Sequence, residues 1–329
     1  MKKILILGGC GFIGHNLARE LSKNFQVSIA DSLQINNLYS LENNKDNLPN
    51  PELSKIIIQD RLKIIKDNKL NFVIQDLRDY HATCRLFNEI KPDIVVHLAA
   101  VSHANRSNKD PHTTFDHSLR TLENTLDYAK TKKTHVIYMS SSMVYGDFAD
   151  GTREESNTKP QNIYGEAKLT GERLTKLFAK RDGLNYVIVR PSGVFGPGDL
   201  PDRVVSKFFK QAMNNETIEL HNGDNKVDFT YRQDAAYGII KAAESEVANT
   251  SFNITAGKAT SLRKLAETII DITGSESEIK DVGMHKLYPM RGTLDIGRAK
   301  DLLDYEPKFT LRQGLESYYD WIRQYTGKI

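Results

Sequence analysis

The run Ile4-Leu5-Ile6-Leu7-Gly8-Gly9-Cys10-Gly11-Phe12-Ile13-Gly14 constrains this chain more than any other stretch. Four consecutive apolar residues predict a strand buried on both faces, and glycines follow where a strand must turn sharply into a helix. Gly8, Gly11 and Gly14 fit G-x-x-G-x-x-G, with Phe12 and Ile13 inside the turn. Residues without a Cβ let backbone N–H groups and a helix N-terminus approach a pyrophosphate. A glycine-rich turn also serves plain helix–strand packing, so the residues that follow must decide.

The first of these is on schedule. Gln26 to Ala30 reads as a second strand ending at Asp31, about 20 residues beyond the glycines. A carboxylate there accepts from both ribose hydroxyls of an adenosine and repels a 2′-phosphate, which favours NAD over NADP. A helix-capping carboxylate is the alternative. Asn71 to Gln75 suits a third strand, delivering Asp76 and Leu77 to the adenine edge.

Apolar strands then alternate with helical stretches at about 51–66, 80–90, 111–130 and 164–181, which predicts a doubly wound parallel α/β sheet of the Rossmann type. Residues 1–189 are read as the dinucleotide-binding domain, with 227–250 returning to it. The remainder of 190–329 is read as a smaller α/β substrate-binding cap. Residues 33–69 are long for a crossover between adjacent strands. Net charge is +3, too small to argue for nucleic acid. No apolar run reaches 18 residues and the chain enters a strand at once, so the expectation is a cytoplasmic protein without a membrane span. Cys10 and Cys84 make neither a zinc site nor a disulfide framework, and no cluster has metal-ligand spacing.

Tyr164 and Lys168 stand four residues apart, on one face of a helix. A nearby ammonium is expected to lower the phenol toward working pH and make it a proton acceptor. Ser140-Ser141-Ser142 follows a strand at the edge where ligands of such sheets bind. Taken alone, Tyr-x-x-x-Lys also describes a solvated pair.

These residues, with His97-Leu98-Ala99-Ala100, Arg190-Pro191, Val194 to Gly198 and Asp228 to Tyr231, resemble the extended short-chain dehydrogenases that act on nucleotide sugars. The resemblance implies Tyr164 as catalytic base, Ser141 as its hydroxyl partner, and Lys168 on the nicotinamide ribose. It implies the Gly8–Gly14 turn on the pyrophosphate, Asp31 on the ribose, and Asp76 and Leu77 on the adenine. Ala99 and Ala100 would pass beneath the cofactor and Pro191 would lie near the carboxamide. For a nucleotide-diphosphate sugar it implies Ser102, His103, Ser141, Ser142, Arg203 and Arg291. The residues themselves leave other readings for His103 (bonded to backbone), Arg203 (a solvated helix face) and Arg291 (a surface salt bridge).

Family dehydratases carry Asp-Glu where this chain has Ser142-Met143, and methionine moves no proton. Ser118, Gly193 and Val227 also replace the family's usual asparagine, asparagine and arginine, with Lys226 or Arg232 as substitutes for the last. The expectation is therefore a 4-epimerase acting through a transient 4-keto sugar. A dehydrogenase, reductase, decarboxylase or dehydratase on the same residues is the alternative, and a non-catalytic NAD-binding module a remote one. The family's pairing of helices at 111–130 and 164–181 implies a homodimer, although Leu119, Leu122, Leu126, Leu169 and Leu177 fit burial on the chain's own sheet equally well.

Overall fold

In a computed structural model, residues 1–329 are described except 43–47, 49, 133, 284–288, 326 and 328–329, and except the side chains of 42 and 132. The chain begins with β1 (Lys3–Leu7), α1 (Gly14–Leu21), β2 (Gln26–Asp31), α2 (Leu38–Glu42), α3 (Pro51–Asp67) and β3 (Asn71–Ile74). It continues through α4 (Tyr80–Ile90), β4 (Ile94–His97), α5 (Ala104–Lys109), α6 (Pro111–Phe115), α7 (Thr121–Lys132) and β5 (His135–Met139). Then come α8 (Ile163–Asp182), β6 (Tyr186–Pro191), α9 (Val204–Met213), β7 (Ile218–Leu220), β8 (Lys226–Asp228) and α10 (Arg232–Glu244). The last elements are β9 (Thr250–Ile254), β10 (Ala259–Ser261), α11 (Leu262–Thr273), β11 (Ile279–Asp281), α12 (Gly297–Leu303) and α13 (Leu311–Ile322).

Seven parallel strands form the main sheet in the order β3-β2-β1-β4-β5-β6-β9. Alternation along β1 sends Ile4 and Ile6 to one face, with Leu17 of α1 and Ile239 of α10. Leu5 and Leu7 point to the other, against Leu86 and Phe87 of α4. Strand order reverses between β1 and β4, which opens a crevice at the carboxyl ends of the strands, the usual ligand position in such sheets. Among the described residues, no helix is long and apolar enough to cross a membrane, and no three His, Cys, Asp or Glu side chains gather as a metal site.

Two expectations about elements need correction. The strand expected near Phe229 does not join the main sheet. Lys226–Asp228 pairs antiparallel with β10, and the seventh strand is β9, which starts at Thr250, while α10 of the expected 227–250 return does pack against the main sheet. Phe229 is instead drawn into a second core with Phe195 and Tyr231. The helix expected over 111–130 is also broken, by a π-helical turn at Asp116–Arg120 between α6 and α7. Such turns recur at functional sites. Here it presents the Ser118 hydroxyl to the Val101 N–H, 3.2 Å away, in the loop after β4.

The second core gathers Val205, Phe208 and Phe209 of α9, Leu265 and Ile269 of α11, and Leu315 and Tyr318 of α13. It also includes Leu53, Ile57 and Ile58 of α3, which belongs to the first half of the chain. Asn50 caps that helix, its Oδ1 accepting from the Leu53 N–H at 3.2 Å, and Pro51 opens its first turn. The 33–69 segment is therefore a strap that leaves the main sheet, packs in the second core, and returns to the sheet as β3.

Candidate active site

The glycine turn closes against the sheet. Gly8 adopts φ +78°, and a Cβ there would come within 2.7 Å of the Ala99 backbone nitrogen, so only glycine fits. Its N–H donates to the Ala30 carbonyl at 2.8 Å. Asp31, at the end of β2, accepts from the Cys10 N–H (3.0 Å) and the Leu33 N–H (2.8 Å), one on each oxygen. Burial raises its pKa, while these two N–H bonds favour the carboxylate. Each oxygen keeps a lone pair for a ribose hydroxyl. Asp76 is held by Arg78, whose Nη2 donates at 2.6 Å, and by Gln34. Burial pushes Asp76 up, but the Arg78 hydrogen bonds outweigh it and bring the pKa down to about 2.

A single cavity runs from this turn to the sheet's far strands. Gly8, Gly11, Phe12, Ile13, Gly14, Asp31, Asp76 and Leu77 line one end. Ala99, Ala100 and Pro191 line it as well. Ser141, Tyr164, Lys168, Ser102, His103 and Arg203 line the other end. Two of the expected residues do not border it. Ser142 is buried beneath the turn after β5, and Arg291 reaches Met143, its Nη1 lying 4.0 Å from Sδ.

At the reactive end, Asn162 caps α8, accepting from the Gly165 N–H at 2.9 Å, which sets Tyr164 in the first turn. Gly165 lets that turn close on the serine turn, since a Cβ would lie 2.6 Å from the Met143 carbonyl oxygen. The Ser141 hydroxyl accepts from the Met143 N–H at 3.2 Å and hydrogen-bonds Tyr164. Lys168 is buried, donates to the Met139 carbonyl at 2.8 Å, and lies 5.9 Å from the Tyr164 ring centre. The electrostatics differ from the sequence expectation. Burial raises the Tyr164 pKa, opposed by the Ser141 hydrogen bond and the charge of Arg203 rather than of Lys168. Lys168 is itself pushed down to about 8 by burial. The net effect of these contributions is to hold the phenol above its ordinary value.

Beneath these residues, Glu172 of α8 accepts from Arg190 through both oxygens, Nε at 2.8 Å and Nη2 at 2.6 Å. Ser140 donates to the same carboxylate at 2.6 Å. Arg190 also reaches Tyr145, whose hydroxyl donates to Asn253 of β9. This buried chain fixes the ends of β5, β6 and β9 relative to one another.

Sequence reasoning missed Arg61 of α3, which lines the cavity beside the glycine turn. The signal was present: Leu53, Ile57, Ile58 and Ile65 mark the buried stripe of α3, and Arg61 falls on it at i+4 from Ile57. Of the substitutes considered for Val227, Lys226 pairs with Asp150 at 3.0 Å and Arg232 donates to the Pro197 carbonyl at 2.5 Å, so neither borders the cavity. His103 Nε2 lies 3.3 Å from Asp202 Oδ2, and Arg203 donates to the Ser102 carbonyl at 3.3 Å.

The sequence profile of the NAD dependent epimerase/dehydratase family matches residues 4–255. The chain belongs to that family. It is 28% identical over 327 residues to the Bacillus subtilis (strain 168) protein named uncharacterized UDP-glucose epimerase YtcB, covering 95% of each. It is 29% identical over 324 residues to UDP-glucuronic acid decarboxylase 6 of Arabidopsis thaliana, covering 95% of this chain and 86% of that one. Its fold is similar to that of the UDP-glucuronic acid 4-epimerase from Bacillus cereus, solved with UDP-glucuronic acid and NAD. The TM-score is 0.86 at 26% identity, covering 98% of this chain and 99% of the other.

NAD is the cofactor of this epimerase/dehydratase-family protein, and the cavity fits it. The space before Gly11 is free, since a Cβ there would meet only the Gly8 carbonyl oxygen at 3.2 Å. The Asp31 carboxylate is buried and lines the same cavity, where a carboxylate would suit ribose hydroxyls and disfavour a 2′-phosphate.

Proposed function

We propose that this chain is a nucleotide-sugar 4-epimerase. The observation that carries the reading is the Ser141–Tyr164–Lys168 constellation in one cavity with the glycine turn, together with Ser142-Met143 after the catalytic hydroxyl. NAD, when bound, supplies the hydride acceptor and donor and, in its oxidised state, a positive charge in the cavity. Tyr164 takes the proton of the sugar 4-hydroxyl as the C4 hydride leaves, with Ser141 bridging oxygen and phenol. Lys168 anchors the nicotinamide ribose, and Ser102, His103 and Arg203 hold the sugar diphosphate end. Tyr164 would return the proton once the 4-keto sugar, turned about its diphosphate link, is reduced on its other face. No cofactor is consumed.

One observation favours a second reading. His103 and Asp202 form an imidazole–carboxylate pair at the substrate end of the cavity, a source of a second proton transfer of the kind a dehydratase needs. Incubation with UDP-, GDP-, dTDP- and CDP-sugars, followed at 340 nm with chromatography of products, separates the two. An isomer with no lasting absorbance change is the expected result. Loss of water from the sugar, carbon dioxide from a uronate, or stoichiometric NADH would sink the epimerase reading.

A homodimer is part of the same proposal, through the outer faces of α7 and α8. Leu122 and Leu126 are consumed by the chain's own core with Tyr138 and Ile188, so Leu177, 55% exposed, is the apolar contact left on α8. Sedimentation at micromolar concentration is expected to show twice the chain mass. A monomer throughout would remove the proposal.

A further inference from the structure

Arg61 is a buried guanidinium, 2% exposed, with the Asp199 and Asp31 carboxylates near enough to favour its charge but neither hydrogen-bonded to it. Its Nε donates to the Gly198 carbonyl at 2.8 Å and its Nη1 to the Asn36 carbonyl at 3.5 Å. Among the described residues it forms no ion pair with a carboxylate. A buried cation bonded only to backbone oxygens is costly, and such a group calls for an anion. Burial accordingly pushes its pKa down to about 10.

The cavity it borders shows where the anion belongs. Arg61 lines the same cavity as the glycine turn, and its charge acts on Cys10, His15 and Asp31 there as well as on Asp199 and Arg203 farther along. Tyr164 and His103, at the substrate end, feel Arg203, Arg106 and Lys207 instead. His15 supplies no competing charge, because burial holds it neutral with a pKa of about 3.

We infer that Arg61 donates to the pyrophosphate of NAD from the side opposite the glycine turn, so that the strap helix α3 forms the outer wall of the dinucleotide site. The glycine turn offers backbone N–H groups from one side, and Arg61 offers a planar fork from the other. This assigns a cofactor-binding role to a segment that lies outside the glycine motif and packs with the second core. The assignment depends on the cofactor alone and stands apart from which sugar reaction the enzyme performs.

The test is binding, measured by calorimetry on the full chain stripped of cofactor, with NAD, ADP-ribose and adenosine as probes. Arg61→Met keeps the length and apolar stem of the side chain. It is expected to weaken NAD and ADP-ribose by about 10- to 100-fold, the worth of a charge-assisted hydrogen bond, and adenosine by less than about 2-fold. ADP-ribose binding by the variant should also depend less steeply on salt. Should Arg61→Met fail to fold, Arg61→Lys carries the test. It keeps the charge without the fork and should lose several-fold on ADP-ribose with adenosine unchanged. Equal losses for adenosine and ADP-ribose would mean that Arg61 only holds α3 in place. Unchanged ADP-ribose affinity in a folded variant would equally overturn the inference.

Discussion

Tyr164→Phe is expected to lower turnover on the nucleotide sugar by about 10³-fold, within the range for loss of a positioned acid–base group. NAD binding should change little, because the ring still fills its place in the cavity wall. The effect is large because no neighbour can substitute. Ser141 is a hydroxyl of ordinary basicity that already accepts from the Met143 N–H, and Lys168 donates to the Met139 carbonyl. Burial raises the phenol, so the share present as phenolate, the form that accepts a proton, depends on the Ser141 hydrogen bond and the cations around it. The pH profile carries the matching signature. Burial lowers Lys168 from the ordinary lysine value to about 8, so its ammonium is present below that pH and lost as pH rises through it. The ratio kcat/KM should therefore rise with pH up to about pH 8 as the phenolate forms, and level off above it as loss of the ammonium offsets further deprotonation. Lys168→Met should be slow at every pH and lack that break. A wild-type profile that keeps rising through pH 8 would remove Lys168 from the proton chemistry, and a fully active Tyr164→Phe would remove the mechanism.

Glu172→Gln is expected to cost about 3–5 kcal/mol of stability, because it strands the Arg190 guanidinium in a site where both side chains are at most 3% exposed. Burial disfavours the Arg190 charge, but the two Glu172 oxygens outweigh it and raise the guanidinium above its ordinary value. Removing both charges together, as in Glu172→Leu with Arg190→Met, should cost less than the single change. Urea unfolding of the single and double variants measures the difference. The same carboxylate accepts from Ser140, next to Ser141. The folded single variant should therefore also lose turnover as the serine turn loosens. A single variant within about 1 kcal/mol of the parent would mean that water or a rearranged neighbour supplies the missing acceptor.

The parts of the site written in local chemistry were legible in the sequence. The glycine turn, Asp31 at the end of β2, and the Tyr164/Lys168 spacing each follow from a backbone or helical constraint spanning a few residues. The α3 helix was legible too, since Pro51 and the apolar spacing mark its start and face. What that face meets was not. Leu53 and Ile57 pack with Phe208, Leu265 and Tyr318, and nothing near residue 55 encodes contacts with a partner so distant in the chain. Arg61 was overlooked for the same reason. The direction of the Tyr164 shift was read wrongly because the motif shows an ammonium four residues away, whereas the balance is set by burial and by Arg203 from α9's N-terminal cap. The π-helical turn at Asp116–Arg120 sits in an otherwise ordinary helical pattern, with no glycine or proline within it.

The strap has a consequence for how the protein is made. Its apolar face leaves the ribosome early, yet the residues that cover it are up to about 260 positions later, which at ordinary synthesis speed is a delay of about 10–50 s. During that interval Leu53, Ile57 and Ile58 have no finished core to enter. The nascent chain must shelter them in a provisional packing or with a chaperone, and the N-terminal half cannot reach its final form ahead of the rest. The two halves are thus sewn together in time as well as in space, and neither could be exchanged with a relative's as a ready-made unit.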